Sequence, residues 1–443
     1  MSFVFRRKVR GVAMVSFYKF ILGTCTQSHS REHGRFLGLL IAGAALFLLT
    51  LPLSGQVSGS LFDLSMESGV LYGEGWPGVA FGSVRLWNTN TSWSDIQPTS
   101  SGYDWSVLDQ WLTAAHGHGS DVMYTFGRVP KWASSQPGDG SCRYGPGECD
   151  PPSDLNRDGT GTDEHWKTFV RAIATHAAGR IQYWELWNEP QNGFYWTGTY
   201  AQMVRMAEDA RSIILSIDPS AKMLSPGTGL RFNAYNWTAA YLAAGGGKYA
   251  DIIGFHGYIQ GSCPNTVPDT SVIPSRVASF RAMLASHGQS GKAMWNTEAS
   301  WAHSSDTCFN NQDLQAGFTA QMYLLYQAAG VQRLYWYNWN DPDSGTLWKN
   351  GLLKPGQAFK QVRTWLVGAT VTSPCAMGSD SSWKCVISKP GGFQGQITWN
   401  SKTTKSITAP SQYRHYVDLY GGVHALPGNG SVQIGYKPIL LEP

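Results

Sequence analysis

Charge is scarce in this chain: Asp, Glu, Lys and Arg fill only 14% of its 443 positions. Chains that stay disordered are rich in charge and poor in large apolar side chains, so this shortage, beside 42% hydrophobic residues, excludes a disordered protein. The small excess of positive charge does not point to a polyanion either. The formal net charge is +4, but residues 1–59 hold seven Lys/Arg and one acid, leaving 27 basic against 29 acidic residues beyond. Past the leader the chain is near −2, and its overall charge recruits no nucleic acid. The sequence also lacks a G-x-S-x-G elbow, a phosphate-binding loop and an H-E-x-x-H helix, which argues against a serine hydrolase, a nucleotide-binding protein and a zinc protease of those types. Gly73-x-Gly75-x-x-Gly78 is a lone glycine match, broken by Trp76-Pro77 and without an acidic residue placed for a ribose, and it reads as a turn. No repeat of fixed period and no extended low-complexity linker is present.

Cysteine is equally sparse, seven in all. Setting aside Cys25 leaves three pairs of near neighbours, Cys142 with Cys149, Cys263 with Cys308 and Cys375 with Cys385. Their spacing does not suit zinc, and an even set suits disulfides in an oxidising compartment. Only one long apolar run exists, Leu37 to Leu53, preceded by Arg31 and Arg35 and followed by the small residues of Ser54-Gly55-Gln56-Val57-Ser58-Gly59. A basic region, an apolar run and a small-residue exit predict a secretory signal and a secreted or periplasmic protein. The run also approaches the length of a membrane span, so a retained signal anchor, and with it a membrane contact, is the alternative.

What the chain has in plenty is aromatic side chains, 13% of residues including 19 tryptophans. From about Ser60 to Gly368 short strand-like runs alternate with amphipathic ones. Eight strands are expected: 61–65, 84–88, 122–126, 181–187, 222–226, 252–258, 293–297 and 333–337. Helical periodicity separates all of them except the first two, where 73–82 carries no convincing helix. Eight such units in roughly 300 residues predict a (β/α)8 TIM barrel with its active site at the C-terminal strand ends. After Gly368 the texture turns to Ser, Thr, Gly and Pro with short alternating runs at 396–399, 415–419 and 431–436, the pattern of a small antiparallel β-domain. The expected organisation is a leader over 1–59, a catalytic barrel over 60–368 and a C-terminal β-domain over 369–443.

Two of these strands end in a glutamate. Tyr183-Trp184-Glu185-Leu186-Trp187-Asn188-Glu189-Pro190 closes the fourth, and Met294-Trp295-Asn296-Thr297-Glu298 the seventh. Pro190 cannot continue the ladder, so Glu189 is expected to leave the barrel at its mouth, where a second carboxylate about 5 to 5.5 Å away completes the pair that cleaves glycosidic bonds with retention. The negative charge of that partner is expected to raise the pKa of the acid. Alternation puts 185, 187 and 189 on one side, which places Glu185 in the interior, charge-paired with Arg85.

The motifs Trp187-Asn188-Glu189-Pro190 and Asn296-Thr297-Glu298 resemble the acid/base and nucleophile motifs of clan A glycoside hydrolases, and the order of elements most resembles family 39, with family 5 next. The resemblance implies that Glu189 is the general acid/base, Glu298 the nucleophile and Asn188 a ligand of the sugar 2-hydroxyl. It also implies that Arg85 supports the nucleophile, that His256 and Tyr258 lie near the −1 sugar, and that Trp336, or Trp339 one turn on, is the platform of the eighth strand. No cofactor is required and no metal belongs to the catalytic site. An insertion after the third strand carries Asp154, Asn156, Asp158 and Gly159, the opening of a calcium loop whose last position fails at His165; a structural calcium and a plain turn are both open. Trp93, Trp132, Trp196, Trp301 and Trp348 follow strands and are expected to face sugar rings. The reading is a retaining hydrolase of β-linked poly- or oligosaccharide. A cell-surface glycan transglycosylase and a non-catalytic polysaccharide-binding protein on the same scaffold are its rivals.

Overall fold

The computed structural model describes residues 55–443 apart from 231–233, 260–267, 302–308 and 342–343. The run Leu37 to Leu53 and the pair Cys263 and Cys308 lie outside the described residues. Nine parallel strands form one closed sheet: β1 (Phe62–Ser65), β2 (Ser83–Leu86), β3 (Asp121–Thr125), β4 (Tyr183–Glu185), β5 (Lys222–Leu224), the two-residue β6 (Thr228–Gly229), β7 (Ile252–His256), β8 (Ala293–Ala299) and β9 (Arg333–Trp336). The barrel closes through β1 against β9, where Phe62, Asp63 and Leu64 face Leu334, Tyr335 and Trp336, and through β5 against β7. With β6 as a short addition beside β7, this is the eight-stranded barrel expected. Around it lie α1 (Trp93–Ile96), α2 (Ser106–Gly117), α3 (Glu164–His176), α4 (Tyr200–Ile217), α5 (Ala234–Ala243), α6 (Ile273–Ser286), α7 (Gln312–Ala328) and α8 (Lys354–Leu366). Between β1 and β2 only a single 3-10 turn, Ser68–Leu71, forms.

Strand alternation gives the barrel its layers. Side chains of one parity pack outward on the helices in the main core, where Phe126, Trp166, Phe169 and Trp184 interlock. The other parity fills the interior with Met123, Leu224, Ile252, Trp295 and Tyr335. Beneath this apolar plug, Arg333 binds Asp63 and Asp121; above it, toward the C-terminal ends, lies the ion-pair network of Arg85 with Glu185 and Glu298.

The rest of the chain builds a six-stranded antiparallel sheet in the order β10 (Thr370–Met377), β11 (Ser382–Lys389), β12 (Phe393–Asn400), β17 (Ile439–Glu442), β14 (His415–Val417), β15 (Val423–Ala425). The pair β13 (Lys405–Thr408) and β16 (Ser431–Ile434) stands apart from it. This β-domain lies against α7: Gln321 Nε2 donates to the Tyr436 carbonyl at 2.6 Å, and Asp313 accepts from Lys437 and Tyr420. Residues 316–326 of α7 are consequently buried in an unbroken run, apolar and polar alike. Disulfides join Cys142 to Cys149 and Cys375 to Cys385.

Candidate active site

Arg85 organises the barrel mouth. It is wholly buried and donates from Nε to Glu185 Oε2 at 2.8 Å, from Nη1 to Glu298 Oε2 at 2.9 Å and from Nη2 to Asn188 Oδ1 at 2.8 Å. Burial opposes its charge, but Glu185 and Glu298 more than offset this and hold the guanidinium protonated. Thr125 Oγ1 also donates to Glu185 Oε2, at 2.9 Å. Glu185 is therefore an interior residue of the network, as alternation requires.

Glu298 ends β8 beside a register shift, where His256 of β7 pairs with Glu298 after Phe255 has paired with Asn296. A bulge of this kind re-aims a side chain at a strand end. Both carboxylate oxygens accept, Oε2 from Arg85 and Oε1 from Tyr258 Oη at 2.7 Å. Two donors, one on each oxygen, fix this carboxylate at the strand end.

Glu189 departs from the pleat. Its φ is +44°, in the left-handed region, fixed by its N–H donating to the Gly227 carbonyl at 2.8 Å and by its own carbonyl accepting from Asn192. The alternation expected for 185, 187 and 189 therefore breaks. Trp187 packs outward against Trp166 and Trp196, while Asn188 turns in to Arg85 and Glu189 to the mouth. Glu189 Oε1 accepts from His256 Nδ1 at 2.9 Å and Oε2 from Asn192 Nδ2 at 2.8 Å. Within this network the side chains of Glu189 and Glu298 are 20% and 10% exposed, whereas those of Arg85, Glu185 and His256 are at 0%, so the two carboxylates are what a ligand can reach. One oxygen from each lies within 4.8 Å of the other.

The expected rise in the acid's pKa is not what this geometry produces. Burial does push Glu189 up, but the hydrogen bond and charge of His256, with help from Arg85 and Asn192, leave it below its ordinary value. Burial pushes His256 down, and Glu298 and Glu189 raise it above its ordinary value. The proton of the unliganded pair belongs to His256.

Arg85, Asn188, His256, Tyr258, Glu189 and Glu298 thus come together. Trp336 does not. Its indole is fully buried among Trp301, Phe318 and Tyr323, with Nε1 donating to the Gly345 carbonyl, because it is of outward parity on β9. Trp339 is buried too. The residue beside the carboxylates is Tyr337, whose hydroxyl accepts from Asn88 Nδ2 and whose pKa is raised by burial and by Glu298. Trp93, Trp196 and Trp301, expected at sugar subsites, are core residues as well; Trp132 and Trp348 are half-buried. Among the described residues, the exposed aromatics of the strand-end loops are instead Tyr72, Tyr144 and Phe194. Tyr144 sits in the loop closed by Cys142 and Cys149, donates to Asn88 Oδ1 at 2.9 Å and stacks on Tyr195. Nothing in the sequence marked it, since its partners are 56 and 51 residues away.

Glu189, His256 and Glu298 have metal-ligand spacing, but Arg85 and the shared proton of His256 already supply positive charge there. Asp139 and Asp150 flank Cys142 and Cys149, whose sulfurs are joined to each other. The calcium expectation is not supported. Asp154 Oδ2 caps α3 by accepting from the N–H groups of Glu164 and His165, Asp158 Oδ1 accepts from Thr160, and Asn156 donates to Thr160 Oγ1, so the loop closes as local turns.

No family model and no curated protein sequence matches the chain. Solved structures do. A family 39 glycoside hydrolase from the gut symbiont Bacteroides cellulosilyticus WH2 is similar at 18% identity, over 87% of this chain and 82% of that one, with a TM-score of 0.62. A family 39 β-xylosidase from Caulobacter crescentus follows at 15% identity, 88% and 97% coverage and a TM-score of 0.61. A family 30 endoxylanase from Clostridium papyrosolvens C71 aligns over 88% and 97% at 11% identity, with a TM-score of 0.54. The likeness is one of fold. The chain has the barrel with C-terminal β-domain of these clan A glycoside hydrolases, and its structural neighbours are glycosidases.

Proposed function

We propose that the chain is a retaining glycoside hydrolase that cleaves β-linked poly- or oligosaccharide by double displacement. The observation carrying this reading is the pair Glu189 and Glu298, the two partly accessible carboxylates of a buried network, with oxygens within 4.8 Å of each other. An oxygen pair this close is compatible with the roughly 5 to 5.5 Å between the carboxyl groups of retaining enzymes. Glu298, oriented by hydrogen bonds from Arg85 and Tyr258, attacks the anomeric carbon while the leaving oxygen takes a proton from Glu189. His256 Nδ1 supplies that proton across its 2.9 Å hydrogen bond when the sugar covers the cleft and desolvates the carboxylate. Once Glu298 is esterified, Glu189 is the base that activates water. The Asn188 amide, with Oδ1 engaged by Arg85, turns its NH2 toward the sugar 2-hydroxyl. No cofactor takes part.

The acceptor side bears on the transglycosylase reading, because exposed Phe194 and Tyr144 flank the loop after Glu189 and offer faces to a second sugar. Product analysis at high acceptor concentration distinguishes transfer from hydrolysis. Two disulfides support an exported protein, secreted or periplasmic. Among the described residues no helix is long and apolar enough to cross a membrane.

The test is covalent trapping. A 2-fluoro glycoside of an accepted sugar should label Glu298 and inactivate the protein. Labelling of any other carboxylate in an active preparation overturns the assignment.

A further inference from the structure

Two polar atoms of the network have no hydrogen-bond partner among the described residues, and they face the same place. They are Glu185 Oε1 and His256 Nε2, both on side chains at 0% exposure. The residue between them is Gly227. A Cβ on it would lie 2.6 Å from Glu185 Oε1 and 2.6 Å from His256 Nε2. The two atoms are therefore no further apart than twice that distance, yet they make no direct hydrogen bond. Two hydrogen bonds of about 2.8 Å in sequence span such a gap, and buried water characteristically sits where it satisfies otherwise orphaned polar groups.

We propose that one buried water bridges Glu185 Oε1 and His256 Nε2 above Gly227, making Glu185 a positioning residue that acts on Glu189 through His256. The proposal rests on the reading of Glu189 as the acid/base. The bridge fits both states of the imidazole. When His256 is neutral with its hydrogen on Nδ1, the water donates to Nε2 and to the Glu185 carboxylate. When His256 carries both hydrogens, Nε2 donates to the water, which still donates to Glu185. The groups facing His256 are Glu189 after β4, Glu298 on β8, Arg85 on β2 and, through the water, Glu185 on β4. Three are carboxylates and one is a cation already shared between Glu185 and Glu298. The carboxylate behind His256 favours its charged form, so Glu185 keeps the proton stored beside Glu189. The absent side chain at 227 leaves room for the water. Its backbone meanwhile fixes Glu189, since the Gly227 carbonyl accepts the Glu189 N–H.

A crystal structure of the unliganded full chain at about 2 Å or better should show a water within hydrogen-bond reach of both atoms. A direct contact between them, or other partners for both, overturns the bridge. The functional half is read without substrate, by following the 15N shifts of His256 against pH in histidine-labelled protein, with the resonance assigned by its loss in His256→Gln. Glu185→Gln should lower the His256 pKa by about one unit. Gly227→Ala, which fills the gap and leaves every charge in place, should move it the same way. A purely structural role for Glu185 predicts lower melting temperatures with the His256 pKa unmoved in both folded variants, and that result overturns the proposal. Because these measurements need no turnover, they stand apart from the labelling of Glu298.

Discussion

In the proposed mechanism Glu189 joins two duties that a single substitution separates. In Glu189→Ala a substrate with a good leaving group should still glycosylate Glu298, because departure no longer needs a proton, while water attack slows about 10²–10⁴-fold for want of a base. A burst followed by a slow steady rate is the expected trace. Added azide, which needs no base, should restore turnover and give a β-glycosyl azide from a β-glycoside; an α product, or no rescue, contradicts the assignment. A second residue-scale expectation concerns Glu67, which follows β1 and accepts from Asn338 Nδ2 at 3.1 Å. Burial, joined by the charges of Asp341 and Glu74, pushes its carboxyl up to about 8. A folded-state pKa above the unfolded one means that the native state binds the extra proton, so this contribution is intact below about pH 4 and is lost as pH rises to 8. Glu67→Gln should therefore melt several degrees higher than the parent at pH 8 and at nearly the same temperature at pH 4. Equal differences at both pH values would show that Glu67 does not titrate in this window.

The loop between Cys142 and Cys149 is the element on which the mouth depends most visibly. The Arg143 N–H donates to the Phe194 carbonyl and the Thr197 N–H to the Cys149 carbonyl, so the loop is laced to the segment that follows Glu189. Closing a loop this short contributes on the order of 2 to 3 kcal/mol. Cys142→Ser/Cys149→Ser should lower the melting temperature and, by loosening Tyr144, raise KM more than it lowers kcat; unchanged kinetics would separate the loop from the substrate. Peptide mapping of oxidised protein should return the pairs 142–149 and 375–385. The sequence made the elements themselves readable, because short apolar runs, buried on both faces as barrel strands, alternate with longer helical stretches, and both carboxylates lie at or just beyond strand ends. It did not give facing within an element. Trp336 and Tyr337 are neighbours, and a shift of one residue exchanges core for cleft. The left-handed turn at Glu189 and the bulge before Glu298 are tertiary results, set by Gly227 and by the pairing of β7 with β8. The pKa order of Glu189 and His256 was hidden likewise, since it depends on a contact across 67 residues.

The whole molecule from β1 to β17 should unfold in one calorimetric transition, because α7 is covered by the barrel on one side and by the β-domain on the other. Ending the chain at Gly368 should yield insoluble protein or one with a markedly lower melting temperature. Two well-separated heat-absorption peaks, or a soluble truncated barrel with the parental melting temperature, would show that the sheet is an appendage. The burial of α7 also bears on the order in which the chain is made. Gln321 binds the carbonyl of a residue 115 positions later, and a side chain at Gly317 would strike Tyr436. Until the last strands have left the ribosome, one flank of this apolar helix has nothing to lie against, and the barrel has neighbours for every strand but no cover for its seventh helix. Synthesis therefore leaves the flank of α7 that meets Tyr436 uncovered until those strands emerge, and that flank is the apolar surface on which a shortened chain should aggregate.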